Sequence, residues 1–276
     1  MTGKMLSAET LILPVAIVFI RLVVLPAEQG LCHAGYLSTL TDKMANPPFI
    51  TVRFFRWNGR RAQWRAFGAQ GFALRQPWSA PGLRFAKQLG SGAGGGFSIW
   101  PDFSTYAWFG VWESVASAAE FFATDARWAE WRASAHEEWG WDAEPVRGHG
   151  SWDGVHLLEG AELAELVPGD EVAVLTRARI KWSQALRFWW NVPGASRHLD
   201  RLPDLLDRKG VGELPLVEQA TLSVWRSAEA LEAFAYRSRE HAPMVRKTRD
   251  YGWYSEEMFL RMKVLTRWES RPILGA

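Results

Sequence analysis

Six histidines and one cysteine carry the most distinctive chemistry in this chain: His33, His136, His149, His156, His198, His241 and Cys32. His241 stands apart from the rest. Phe234, Ser238, His241 and Val245 fall three or four residues apart, which puts them on one face of a helix, and that face extends back to Leu231. A face of this composition turns toward a sheet. A buried, neutral imidazole there can ligate iron through one ring nitrogen, and an ordinary helix histidine fits the same spacing. Pro243 removes one helical amide and can bend the helix. Arg237, Arg239, Arg246, Lys247 and Arg249 cluster around it. They read either as the polar side of the helix or as contacts for cofactor carboxylates or an acidic partner.

Other constellations carry less. His149 and His156 flank Asp153 in a glycine-rich stretch; a loop metal site can be built this way, but a polar turn is the simpler reading. The run Gly90-Ser91-Gly92-Ala93-Gly94-Gly95-Gly96 lacks the Gly-Lys-Ser/Thr ending of a phosphate loop, and the next residues, Phe97-Ser98-Ile99-Trp100-Pro101, read as extended rather than helical. The run is expected to be a turn or a rim. No serine–histidine–acid set and no paired carboxylates stand out, so no catalytic residue is assigned. The lone Cys32 excludes an intrachain disulfide and a four-thiolate iron–sulfur cluster.

The whole chain bounds these readings. With 276 residues, 48% of them apolar, it can bury a substantial core and is not disordered. A net charge of +2, from 32 basic and 30 acidic residues, argues against a nucleic-acid partner. Tryptophan is abundant, with 17 copies, many between Trp100 and Trp141. Such rings can wall a deep pocket for a flat apolar group or simply fill a core.

An internal repeat sets the architecture. Tyr106–Ser114 resembles Gln219–Ser227 at an offset of 113, which also matches Phe121 with Phe234 and Trp128 with His241. Upstream, an offset near 120 pairs Val52–Arg56 with Val172–Thr176, and Gly90 and Gly92 with Gly210 and Gly212. Weak repetition of this length points to two similar units. Each reads as strand, helix, strand, strand, helix, strand, with Ser114 and Ser227 placed to cap the second helix of each unit. The expected fold is therefore α+β: duplicated ferredoxin-like units forming an intrachain dimeric α-β barrel, with two sheets packed face to face. The first unit is expected over 49–160 and the second, carrying the His241 site, over 161–276. A Pro-Gly-Asp turn ends the linker between them.

Residues 1–48 form an apolar extension. Thr10–Ala27 is nearly all apolar but contains Arg21, Pro14 and Pro26. Three readings stand: upstream sequence ahead of a start at Met44, a membrane-associated helix, or a true anchor. The expected setting is cytoplasmic, with peripheral membrane contact as the alternative.

Several strings together resemble the spheroidene monooxygenase (carotenoid oxygenase) family. They are Leu89–Gly92 with Gly96-Phe97, Val174–Ile180, Arg187–Trp189, Gly212–Pro215, Gln219–Ser227, Phe234–Tyr236, His241 and Trp253–Phe259. The resemblance spans roughly residues 49–269 of the chain. It implies a dimeric α-β barrel that uses haem b to oxygenate the ends of an acyclic carotenoid or similar apolar polyene, first to an alcohol and then to a ketone. It also implies electrons from reduced ferredoxin or a similar donor. His241 is then the expected axial iron ligand, and Arg246 a partner for a haem propionate. Two other readings remain: another haem enzyme on the same fold, aldoxime dehydratase-like or peroxidase-like, and a haem-free binding module.

Overall fold

The computed structural model describes residues 47–94, 98, 100–191, 202–237 and 252–273. The first half runs β1 (Phe49–Arg56), α1 (Arg60–Arg75), β2 (Leu83–Gly92), β3 (Pro101–Trp112), α2 (Val115–Thr124), α3 (Ala126–Ala133) and β4 (Glu137–Gly150). The second half runs β5 (Val172–Ile180), a single 3-10 turn (Trp182–Gln184), α4 (Ala185–Asn191), β6 (Leu205–Gly212), β7 (Glu218–Trp225), α5 (Ala228–Arg237) and β8 (Tyr254–Pro272).

Local chemistry accounts for several of these boundaries. The Ser114 hydroxyl accepts from the Ser117 amide at 3.1 Å, and the Ser227 hydroxyl from the Ala230 amide at 3.3 Å. Each thus satisfies a first-turn donor that has no intrahelical partner. Asp125 does the same for Trp128 at 2.7 Å, so α3 restarts directly after α2. The Pro-Gly-Asp turn is closed by the Val167 amide donating to the Asp170 carboxylate at 2.8 Å.

Hydrogen bonding between strands runs β1-β3-β2-β6-β7-β5-β8-β4 and returns to β1, so every strand has two paired neighbours. All pairings are antiparallel. The expectation of duplicated ferredoxin-like units with two sheets packed face to face is corrected here. Residues Lys43–Ala276 form one compact unit, and the strands of both halves belong to one continuous sheet. The physical reason lies in the outer strands. β4 pairs with β8 from Glu137 opposite Pro272 to Gly150 opposite Met258, which satisfies backbone groups that separate sheets would leave as bare edges. The other join, between β2 and β6, holds only Gly90 opposite Gly212 and Ser91 opposite Val211.

The repeat offset also shifts. Phe49 lies opposite Trp112, and Val172 lies opposite Trp225. Phe49, not Val52, is therefore the register counterpart of Val172. Of the helix expected near 183–206, the described residues form a 3-10 turn and α4; residues 192–201 lie outside the described residues, and Leu205 belongs to β6. The glycine run begins as strand rather than turn: Gly90–Gly92 belong to β2, and the next element among the described residues is β3, not a helix.

Side chains alternate across the strands. One set points inside the ring of strands, where Ile50, Val52, Phe54, Phe109, Trp141 and Trp152 meet Leu175, Leu222, Leu260 and Met262 in a single apolar cluster. The other set points outward, under the helices.

Candidate functional site

The two outward faces differ sharply. In the first half, Phe55, Trp108 and Trp112 are fully buried against Phe121, Trp128 and Trp131 of α2 and α3. Trp108 stacks on Phe121 at 5.8 Å and meets Trp128 edge-on at 5.4 Å; Phe55 meets Trp131 edge-on at 4.6 Å. Gly110 is required there, because a Cβ at that position would collide with the Trp108 ring. Most of the clustered tryptophans are thus packing residues, and Trp100 lies exposed on a loop.

The second half keeps the register and discards the bulk. Reading across the strand pairs, Thr221 stands where Trp108 does, Ala178 where Phe55 does, Gln219 where Tyr106 does, and Ser223 where Gly110 does. Thr176 is exposed although it lies mid-strand between Thr221 and Phe259. Described residues close this face at its two ends. At one, Leu231 and Phe234 of α5 lie over Val172, Val174 and Trp225. At the other end, Phe188 of α4 packs with Ile180 and Trp253. Between these two ends lies a floor of small side chains, Thr176, Ala178, Thr221 and Ser223. Beside it, Arg261 is buried and paired with Glu232 at 3.2 Å, yet its Nε has no acceptor among the described residues.

His241 and Arg246, the expected iron ligand and propionate partner, lie outside the described residues, as do Cys32, His33, His198, Arg239, Lys247 and Arg249. The described residues on either side of 238–251 are α5 and Gly252-Trp253, and these border the two ends of the small-residue floor. Small side chains and a buried guanidinium whose Nε lacks an acceptor among the described residues set this face apart from its counterpart in the first half.

The loop-metal reading of His149, Asp153 and His156 is not what forms. His149 stacks on Phe259, and His156 contacts the Gly150 carbonyl through Nδ1 at 3.1 Å. Asp153 instead pairs with Lys87, Arg177 and Arg179. Among the described residues no group of three or more metal-ligating side chains comes together.

Asp153 belongs to a cluster that sequence reading missed. Arg177 sits inside the ring of strands with its side chain 1% exposed, bonded to Glu256 at 2.6 Å, Asp153 at 3.2 Å and Glu213 at 3.3 Å. Its guanidinium lies 5.1 Å from the Trp152 ring, and the Trp152 indole donates to Glu213 at 2.7 Å. Burial works against the charge on Glu256. The Gly154 amide, Arg177 and Ser151 outweigh it and hold this carboxyl down at about 2. Lys87 is likewise held above its ordinary value: burial opposes this, and Glu213 and Asp153 overcome it. Every charge in the group has an opposite partner, as buried ions require. The cluster plugs one end of the interior, and aliphatic and aromatic side chains fill the rest, so the small-residue outer face is the better place for a bound molecule.

No family model matches the chain. It is 31% identical over 218 residues to the spheroidene monooxygenase of Rhodobacter capsulatus, which spans 79% of this chain and 90% of that protein. It is 39% identical over 186 residues to the spheroidene monooxygenase of Rubrivivax gelatinosus, spanning 67% and 70%. Among solved structures, an aldoxime dehydratase superposes with a TM-score of 0.54 over 81% of this chain and 83% of that one, at 10% identity, a likeness of fold alone.

Proposed function

The chain belongs to the spheroidene monooxygenase family, and on that premise we propose that it is a haem-dependent monooxygenase acting on an acyclic carotenoid or similar apolar polyene. The observation that carries the proposal is the second half's outer face, where Thr176, Ala178 and Thr221 stand in the places that Arg53, Phe55 and Trp108 fill in the first half. In this reading haem b seats on that floor, His241 holds its iron, and Arg261 or Arg246 meets a propionate. Bound there, haem supplies dioxygen activation fed by electrons from outside, chemistry that no side chain offers.

The chain's own residues have simpler tasks. The small side chains leave room for a flat group without opening the interior. Leu231, Phe234 and Phe188 border the floor with apolar surface, which limits water and suits a polyene. The Arg261 guanidinium, buried and short of an acceptor, orients an acidic group. A reduced ferredoxin or a similar carrier is the proposed electron donor.

The test is product analysis. Protein expressed with haem supply is incubated with an acyclic carotenoid, dioxygen and a reducing system. Hydroxylated and then keto products are expected. A haem-loaded protein that leaves the polyene unchanged but dehydrates an aldoxime to a nitrile would replace this reading with a second one, favoured by the fold likeness to aldoxime dehydratase.

A further inference from the structure

The turn and helix directly after β5 expose an unusual set of side chains. Trp182 is 59% exposed, Leu186 85% and Trp190 85%. Their spacing of four places them along one side of the 3-10 turn and α4. The opposite side is anchored: Ala185 and Phe188 are buried with Ile180 and Trp253, and the Trp189 indole donates to the Leu216 carbonyl at 2.9 Å. The outward ridge is therefore held on a fixed support. Lys181 and Arg187 are exposed beside it, and no aspartate or glutamate occurs between Val172 and Leu199.

We infer that the ridge of Trp182, Leu186 and Trp190 seats this protein on the surface of an anionic lipid bilayer. Tryptophan is favoured where an apolar medium meets water, and basic residues beside it meet lipid phosphates. A soluble surface gains nothing from three large apolar side chains in a row. Position supplies the second argument. α4 packs on Trp253, at one border of the small-residue floor, and β5 delivers both that floor and the ridge. A polyene dissolved in a bilayer would then meet the enzyme at the edge of its site. This deepens the proposed function and rests on it for the choice of substrate.

α1 offers the contrasting surface. Its exposed Trp64 and Phe72 lie eight residues apart, with Arg60, Arg61, Arg65 and Arg75 exposed and no acidic residue in the helix. It packs on β2 and β3, in the half whose outer face is filled.

Flotation of the full chain with vesicles of phosphatidylcholine and phosphatidylglycerol tests the inference. Wild type should float with these vesicles, and the triple variant W182S/L186S/W190S should bind about tenfold more weakly, since such binding scales with buried apolar area. Because all three side chains are exposed, the variant should keep the wild-type circular dichroism and haem absorption. It should also oxidise carotenoid in detergent at the wild-type rate while losing turnover of carotenoid held in vesicles. Three results would each overturn the inference: wild type that stays unbound, a triple variant that floats like wild type, or loss of flotation only in W64S/F72S. A variant that floats normally but no longer accepts electrons would instead make the ridge a site for an acidic carrier protein. Flotation and haem absorption are separate readouts, so a colourless protein that floats through this ridge refutes the proposed function and leaves the docking surface standing.

Discussion

The outward faces of the two halves share a strand register and differ in what stands on it. Trp108, Phe55 and Tyr106 in the first half correspond to Thr221, Ala178 and Gln219 in the second. One face is closed by interlocking rings, and the other exposes a threonine at mid-strand. The closed face stabilises the shared sheet, and this frees its counterpart from packing, so that it can carry a site. A similar contrast holds inside the ring of strands, where Phe54 stacks on Trp139 at 5.2 Å and its counterpart Arg177 gathers three carboxylates.

The comparison breaks most visibly at its packed positions. Trp108→Ala should cost about 3–5 kcal/mol in urea unfolding, because the surrounding rings cannot collapse into the space. Thr221→Ala in the matching place should stay within about 0.5 kcal/mol. Equal costs would show that the second face is packed after all. Arg177→Ala should cost about 3–5 kcal/mol, since it removes the buried cation that Glu256, Glu213 and Asp153 share and leaves them only the more exposed Lys87 and Arg179.

Smaller effects sharpen the contrast. Ala178→Phe restores the counterpart of Phe55. Ala178 is itself buried, so the substitution asks whether space lies beside it: a change of less than about 1 kcal/mol is expected, whereas overpacking a filled site would cost about 1–3 kcal/mol. The smallest effect is in pH dependence. Glu256 is held at about 2 against an ordinary 4.5. Its contribution is therefore present above the ordinary carboxylate range and is lost as pH falls through that range toward about 2. Glu256→Gln should lower the melting temperature at neutral pH and flatten the acid side of its pH profile. An acid limb identical to wild type would contradict the assignment.

Local features of this fold were legible in the sequence, but its joining of both halves into one continuous sheet was not. Ser114 and Ser227 cap the helices that their positions promise, the Pro-Gly-Asp turn closes through Asp170, and the shared Trp112 and Trp225 mark equivalent strand ends. The site was less legible because β1 and β5 were paired at the wrong offset. With Val52 set against Val172, Phe55 falls on Leu175, and the loss of bulk at Ala178 disappears from view. The corrected register shows it directly. The Arg177 cluster draws its members from strands far apart in the sequence, and no local spacing announces it. The ridge at Trp182, Leu186 and Trp190 carries a helical period that can equally serve a core, and only its exposure separates the two.

The central claim is that the open face of the second half holds haem through His241. Absorption spectroscopy of haem-supplied wild type, Ala178→Phe and His241→Ala tests it most directly. The account predicts a strong Soret band in wild type, with that band absent or greatly weakened in both variants while circular dichroism stays unchanged. A folded, colourless wild type, or a band that survives both substitutions, would contradict it.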